Sequence, residues 1–109
     1  MNVSNETDLV KNLDKLVYLD AVIKEALRIT PVAPYVARIT KEPYQLGEYL
    51  LPKGTAIAPS IYLAHRDPDV WHDPDKFMPE RFLNSSETPY TYIPFGGGVR
   101  RCIGAALRA

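Results

Sequence analysis

The chain has 109 residues, 13 lysines and arginines against 13 aspartates and glutamates, and a single cysteine. That length sets one domain at most, or part of one. The neutral balance argues against nucleic acid or an anionic membrane surface as a partner. One cysteine excludes an intrachain disulfide, so nothing points to an oxidising compartment. No apolar run approaches the roughly 20 residues that cross a bilayer. Asn-x-Ser/Thr sequons begin at Asn2, Asn5 and Asn84 and, without a signal peptide, read as chance. The expected class is soluble and globular, or a fragment of something larger.

Residues 1–15 open the chain as a polar, aperiodic tail or loop end. From Val17 the pattern is helical: Leu19, Val22, Ile23, Ala26 and Leu27 form one apolar stripe. Pro31 ends that helix and biases Thr30 towards extended geometry. "PYVARIT" alternates loosely, and "YQLGEYLL" predicts two short strands joined tightly at Gly47-Glu48. Pro52-Lys53-Gly54 is a turn, "TAIAPS" a small-residue strand, and "IYLAHR" one or two helical turns. "RDPDVWHDPD" and "FMPERF" lack periodicity, and their prolines predict an irregular but rigid stretch. Trp71, Phe77 and Phe82 are expected there as core anchors. A second helix is expected to open near Cys102 with "CIGAALRA", and its end without a C-cap suggests a partial sequence.

The stretch "YIPFGGGVRRCIGAALRA" raises the chemical question. Three glycines in a row cost backbone entropy, so they mark a linker or a loop whose backbone approaches something closely. A phosphate-cradling loop needs Lys-Ser/Thr after its glycines, and Val99-Arg100-Arg101 stands there instead. A dinucleotide fingerprint fails at its third glycine, where Arg101 stands. Zinc is poorly supported, because Cys102 has no cysteine neighbour and His65 and His72 lie far away in sequence.

The full spacing, Phe95-x-x-Gly98-x-Arg100-x-Cys102-x-Gly104, resembles the haem-binding signature of the cytochromes P450. The resemblance implies haem b, with Cys102 as axial iron ligand. A thiolate on haem iron pushes electron density onto the metal and favours O–O cleavage. It also implies that Gly96, Gly97 and Gly98 let the loop curve beside the porphyrin, and that Gly104 lets the following helix pass close to it. The N-terminus of that helix would steady the thiolate, and Arg100 would meet a haem propionate. "KEALR" carries Glu25-x-x-Arg28, and Pro79-Glu80-Arg81-Phe82 matches a further motif of the family. By helical geometry Glu25 and Arg28 lie opposite the apolar stripe and read as a solvated pair. The resemblance implies instead a buried, structural network of Glu25, Arg28 and Arg81. Arg38 matches a strand arginine that reaches a propionate. Arg101 reads equally as a solvated residue or as part of a surface where electron donors dock. His65 is left without a catalytic role.

The resemblance spans Leu16 to Ala109, the C-terminal, haem-binding portion of a P450 domain, and implies an α+β piece of a mainly helical fold. The oxygen-activating helix and most substrate-contacting segments are missing, so no catalytic residue is expected in this chain. The parent is expected to be a monooxygenase acting on a small organic substrate, with electrons from a ferredoxin or a flavoprotein reductase. A hydroperoxide-rearranging haem-thiolate enzyme and a non-catalytic haem-binding remnant are the alternatives. The expected location is cytoplasmic or cytoplasm-facing, with any membrane anchor in the missing N-terminal part.

Overall fold

The computed structural model describes residues 16–84 and 90–108. The expected tail over residues 1–15 lies outside them. Helix α1, Val17–Ile29, begins without a side-chain cap and places Asp20 in its first turn and Arg28 in its last, which suits the helix dipole. Lys24 and Asp20 form an i,i+4 pair at 3.2 Å. The helix stops at Thr30, whose N–H still donates to the Ala26 carbonyl at 2.9 Å before Pro31 forbids another turn.

Two small antiparallel sheets follow. Strand β1, Arg38–Ile39, pairs with β4, Ala56–Ile57, with Arg38 opposite Ile57. Between them β2, Tyr44–Leu46, and β3, Tyr49–Leu51, form the hairpin expected from the sequence. Gly47 at its turn has φ +56°, a conformation that suits glycine. Helix α2, Ile61–Ala64, is a single turn capped by Ser60, whose Oγ accepts from the Leu63 N–H at 3.1 Å. The chain then runs irregularly to a 3-10 helix, Pro79–Phe82, that packs against α1. A second 3-10 turn, Gly98–Arg100, and a third, Ile103–Arg108, complete the described structure. The helix expected from Cys102 is therefore a 3-10 helix, and so short an element offers the cysteine no N-terminal dipole of note. Among the described residues no helix is long and apolar enough to cross a membrane.

The apolar core is small. Ala21, Trp71 and Phe82 are buried, with Leu83 and Tyr92 packed against them. The Trp71 and Phe82 rings meet at 5.8 Å, and Phe82 and Tyr92 at 5.1 Å. Trp71 also donates its indole N–H to the Ala64 carbonyl at 3.1 Å, tying the irregular stretch to α2. Phe77, expected as a third anchor, is instead 53% exposed. The helical stripe is also inverted. Leu19 is 47% exposed, whereas Glu25 and Arg28 are 0% exposed and share the buried face with Ala21. Residues 21, 25 and 28 follow the i, i+4, i+7 spacing of one face, and the irregular stretch packs there to satisfy the charges.

The contrast between the two aromatics is measurable. Trp71→Ala should cost about 3–5 kcal/mol through the cavity it leaves. Phe77→Ala should stay within about 0.5 kcal/mol. Denaturant unfolding of the two variants beside the unsubstituted protein tests this, and equal losses would contradict the core described.

Candidate functional site

The site stands on a buried ionic cluster. Arg28 Nε and Nη2 donate to Glu25 Oε2 and Oε1 at 2.8 and 2.7 Å, a bidentate pair. The remaining Arg28 donors reach backbone oxygens: Nη1 bonds His65 and Pro74 at 2.8 and 2.7 Å, and Nη2 bonds Lys76 at 3.2 Å. Every one of the guanidinium's five N–H groups thus has an acceptor. Glu25 Oε1 also accepts from Arg81 Nε at 3.0 Å and from the Met78 N–H at 3.0 Å. Arg81 turns its Nη atoms to the carbonyls of His72, Asp73 and Lys76. Asp73 holds φ +46°, a left-handed conformation that aspartate tolerates. Arg28 also lies over the Trp71 ring at 5.4 Å. Burial alone would raise the Glu25 pKa. The Arg28 and Met78 hydrogen bonds and the charges of Arg28 and Arg81 outweigh it and hold the carboxyl below its ordinary range.

His65 joins this cluster to the glycine-rich loop. Its ring is fully buried, with Nε2 accepting from the Ile93 N–H at 2.9 Å and Nδ1 3.1 Å from the Arg28 carbonyl oxygen. The ring stacks on Tyr92 at 5.4 Å, and the Tyr92 hydroxyl donates to the Lys24 carbonyl at 3.1 Å. The loop then folds on itself. The Gly96 N–H bonds the Ile93 carbonyl at 3.0 Å, and the Cys102 N–H bonds the Phe95 carbonyl at 2.9 Å. Gly96 and Gly98 have φ +75° and +66°. Gly97 is constrained differently, since a Cβ there would come within 2.8 Å of the Tyr90 ring.

On one side of this loop lies a cleft of about 390 Å³. Cys102, Arg100, Phe95, Gly96 and Gly97 supply one wall, and Arg38, Val36, Val32 and Leu27 supply another. Of the residues singled out from the sequence, the cleft gathers Cys102, Arg100, Arg38, Phe95 and Gly96. Gly98 and Gly104 do not line it, and Glu25, Arg28 and Arg81 lie behind it. Cys102 is exposed and unbonded to another cysteine. Neither Arg38 nor Arg100 takes part in an ion pair among the described residues. A lining that holds one thiol, two guanidiniums and apolar side chains could take a metal carried in a flat, apolar, carboxylate-bearing ligand. Among the described residues no three His, Cys, Asp or Glu side chains converge as a metal site, so the remaining donors would come from that ligand itself. The donor set fits such a group.

The family model described as Cytochrome P450 matches residues 3–107. The chain belongs to the cytochrome P450 family. It is 42% identical over 95 residues to cytochrome P450 3A29 of Sus scrofa, covering 84% of this chain and 19% of that protein. It is 46% identical over 90 residues to putative cytochrome P450 135B1 of Mycobacterium tuberculosis, covering 83% and 19%. The chain therefore spans about a fifth of the length of the curated P450s it matches. Among solved structures it resembles a retinoic acid-bound cyanobacterial P450, with TM-score 0.82 and 37% identity over 89% of this chain and 24% of that one. A zebra fish P450 with abiraterone gives TM-score 0.78 and 37% identity over 90% and 23%.

Two contributions to this P450 site were not read from the sequence. One is His65, whose only outward sign was its place at the end of a short helical turn before Arg66-Asp67-Pro68. The other is the use of backbone carbonyls from residues 65–76 as arginine acceptors, which no residue identity announces.

The cluster yields two expectations. Arg28→Lys keeps the charge but loses the planar fork, and should cost about 3–5 kcal/mol because buried acceptors lose their donors. Glu25 has its pKa below the ordinary 4.5 in the folded state. Its contribution is therefore complete above 4.5 and is lost as pH falls through the folded pKa. Glu25→Gln should flatten that acid-side loss in a pH series of unfolding midpoints. An unchanged acid limb would contradict the assignment.

Proposed function

We propose that this chain is the haem-binding portion of a haem-thiolate monooxygenase that inserts one atom of dioxygen into an apolar organic molecule. Family membership implies a haem cofactor, and we assign haem b. The observation that carries the reading is the cleft that brings Arg38, from a strand far away in sequence, to the loop carrying Phe95, Arg100 and Cys102.

In this reading Cys102 would supply the thiolate ligand to the haem iron, and Arg38 and Arg100 would hold the haem propionates by charge-assisted hydrogen bonds. Phe95, Val36 and Leu27, which line the cleft, would cover part of the macrocycle and exclude water from it. The positive φ at Gly96 and Gly98 and the bond from the Cys102 N–H to the Phe95 carbonyl fold the loop back on the cysteine. An added Cβ at Gly104 would sit 3.5 Å from Cys102 Sγ, an ordinary contact, so the chain's own atoms do not demand glycine there. The haem, once bound, supplies the redox chemistry that activates dioxygen. The chain's own residues bind and orient it, and none of them is assigned as a catalytic acid or base. Glu25, Arg28 and Arg81 serve as scaffold. Electrons would come from a ferredoxin or flavoprotein reductase. Solved P450s similar to this chain hold retinoic acid, abiraterone and progesterone, which supports an apolar substrate class.

The test is spectroscopic. The reduced carbon-monoxide complex of the full-length holoenzyme should show the long-wavelength Soret band of sulfur ligation, and Cys102→Ser should abolish it. Retention of that band in the serine variant would refute the ligand assignment.

A further inference from the structure

We propose that His65 is a positioning residue that sets the cysteine loop on α1 by accepting a hydrogen bond from the Ile93 N–H. This inference rests on the reading of Cys102 as the iron ligand. On an imidazole only an unprotonated ring nitrogen can accept an N–H, so the 2.9 Å bond from Ile93 requires Nε2 to be unprotonated. The ring proton then lies on Nδ1, which donates to the Arg28 carbonyl at 3.1 Å. The two bonds thus define one neutral tautomer, with the ring sealed from solvent at 0% exposure.

The bonds on either side make a continuous path. The Arg28 carbonyl ends α1; His65 carries the contact to Ile93; the Ile93 carbonyl accepts from the Gly96 N–H; and the Phe95 carbonyl accepts from the Cys102 N–H. The Tyr92 ring, stacked on His65 and anchored to the Lys24 carbonyl, holds the same segment from the side. A displaced Ile93 would therefore move the point from which the loop to Cys102 is built. His65 touches neither the cleft nor Cys102, so any effect on the sulfur must pass through the backbone at Ile93.

A proton on Nε2 would turn the acceptor into a donor facing another donor. The surroundings oppose that proton. Burial lowers the His65 pKa most, the hydrogen bonds to the Arg28 and Leu27 backbone raise it, and the positive charges of Arg28 and Arg66 lower it, leaving it below its ordinary 6.5. The charged and titratable groups around the ring are Arg28, with Glu25 behind it, on α1, Arg66 beside it, and Tyr92 on the loop. Because the folded pKa is depressed, the bridge is intact above 6.5 and fails as pH falls through the folded value.

The experiment uses the full-length holoenzyme and reads the thiolate-type Soret band of the reduced carbon-monoxide complex across a pH series. His65→Phe keeps the stacking on Tyr92 but neither hydrogen bond, and should lose most of that band at neutral pH. His65→Gln offers an amide acceptor and donor but no titration, so it should keep the band at neutral pH and shift its acid loss to lower pH than the unsubstituted enzyme. A wild-type band in His65→Phe, or the same acid midpoint in His65→Gln and the unsubstituted enzyme, would overturn the role proposed for His65. If the Phe variant does not fold, the pH comparison decides alone. A band abolished in Cys102→Ser but retained in His65→Phe would remove only the positioning role. Absence of the band from the unsubstituted enzyme would remove the ligand reading and this inference together.

Discussion

The bidentate contact between Arg28 and Glu25 is the interaction on which the rest of the described structure depends. Two charges with no exposure to water would each carry a heavy desolvation cost, and their mutual attraction repays it only when every remaining donor and acceptor is matched. Here the matching is complete for Arg28, and Glu25 gathers a second guanidinium and a backbone N–H besides. With one carboxylate against two guanidiniums, the excess positive charge is met by carbonyl dipoles. That requirement shapes the irregular stretch, which must present its oxygens inward at residues 65, 72, 73, 74 and 76.

This explains why so small an apolar core suffices to order so much loop. Of the largest fully buried side chains, Arg28, His65 and Glu25 are polar and only Ile61 is apolar. Ordinary hydrophobic packing is non-directional and would not choose one path for a segment without secondary structure. A planar fork with five fixed donors does choose one. The Trp71, Phe82 and Tyr92 rings then cover the cluster and keep it dry, so each bond is stronger than it would be in water. From this platform the cysteine loop departs at Ile93, and the cleft takes its shape from where that loop is set.

Much of this was legible before any coordinates. The hairpin at Gly47, the helix stop at Pro31 and the irregular run after Arg66 follow from local chemistry that acts over a few residues. The grouping of Cys102, Arg100 and Phe95 follows from spacing within one loop. The failures share a cause. The helical wheel assigned the Glu25–Arg28 face to solvent because it counts polarity on one element and cannot know that distant carbonyls will meet it. Phe77 was expected inside on hydrophobicity alone, yet its neighbours turn their backbone, not their side chains, towards the cluster. His65 was left without a catalytic role, and its bridging contacts were not foreseen because its partners are two backbone groups, at Arg28 and Ile93, that leave no mark in a sequence. The final helix was expected without a type, because apolar spacing does not separate an α-helix from a short 3-10 run.

The way Arg81 and Arg28 hold residues 72–76 has a consequence for how freely this surface can vary. The contacts are made to peptide oxygens, while the side chains of His72, Asp73, Asp75 and Lys76 face outward into solvent. The identity of those outward groups is thus decoupled from the internal framework. Apart from Asp73, whose left-handed backbone restricts what can replace it, charge and polarity could be rewritten along this strip while the peptide path beneath remained the same. The protein can present different faces to its surroundings there without disturbing the ground on which the cysteine loop is built.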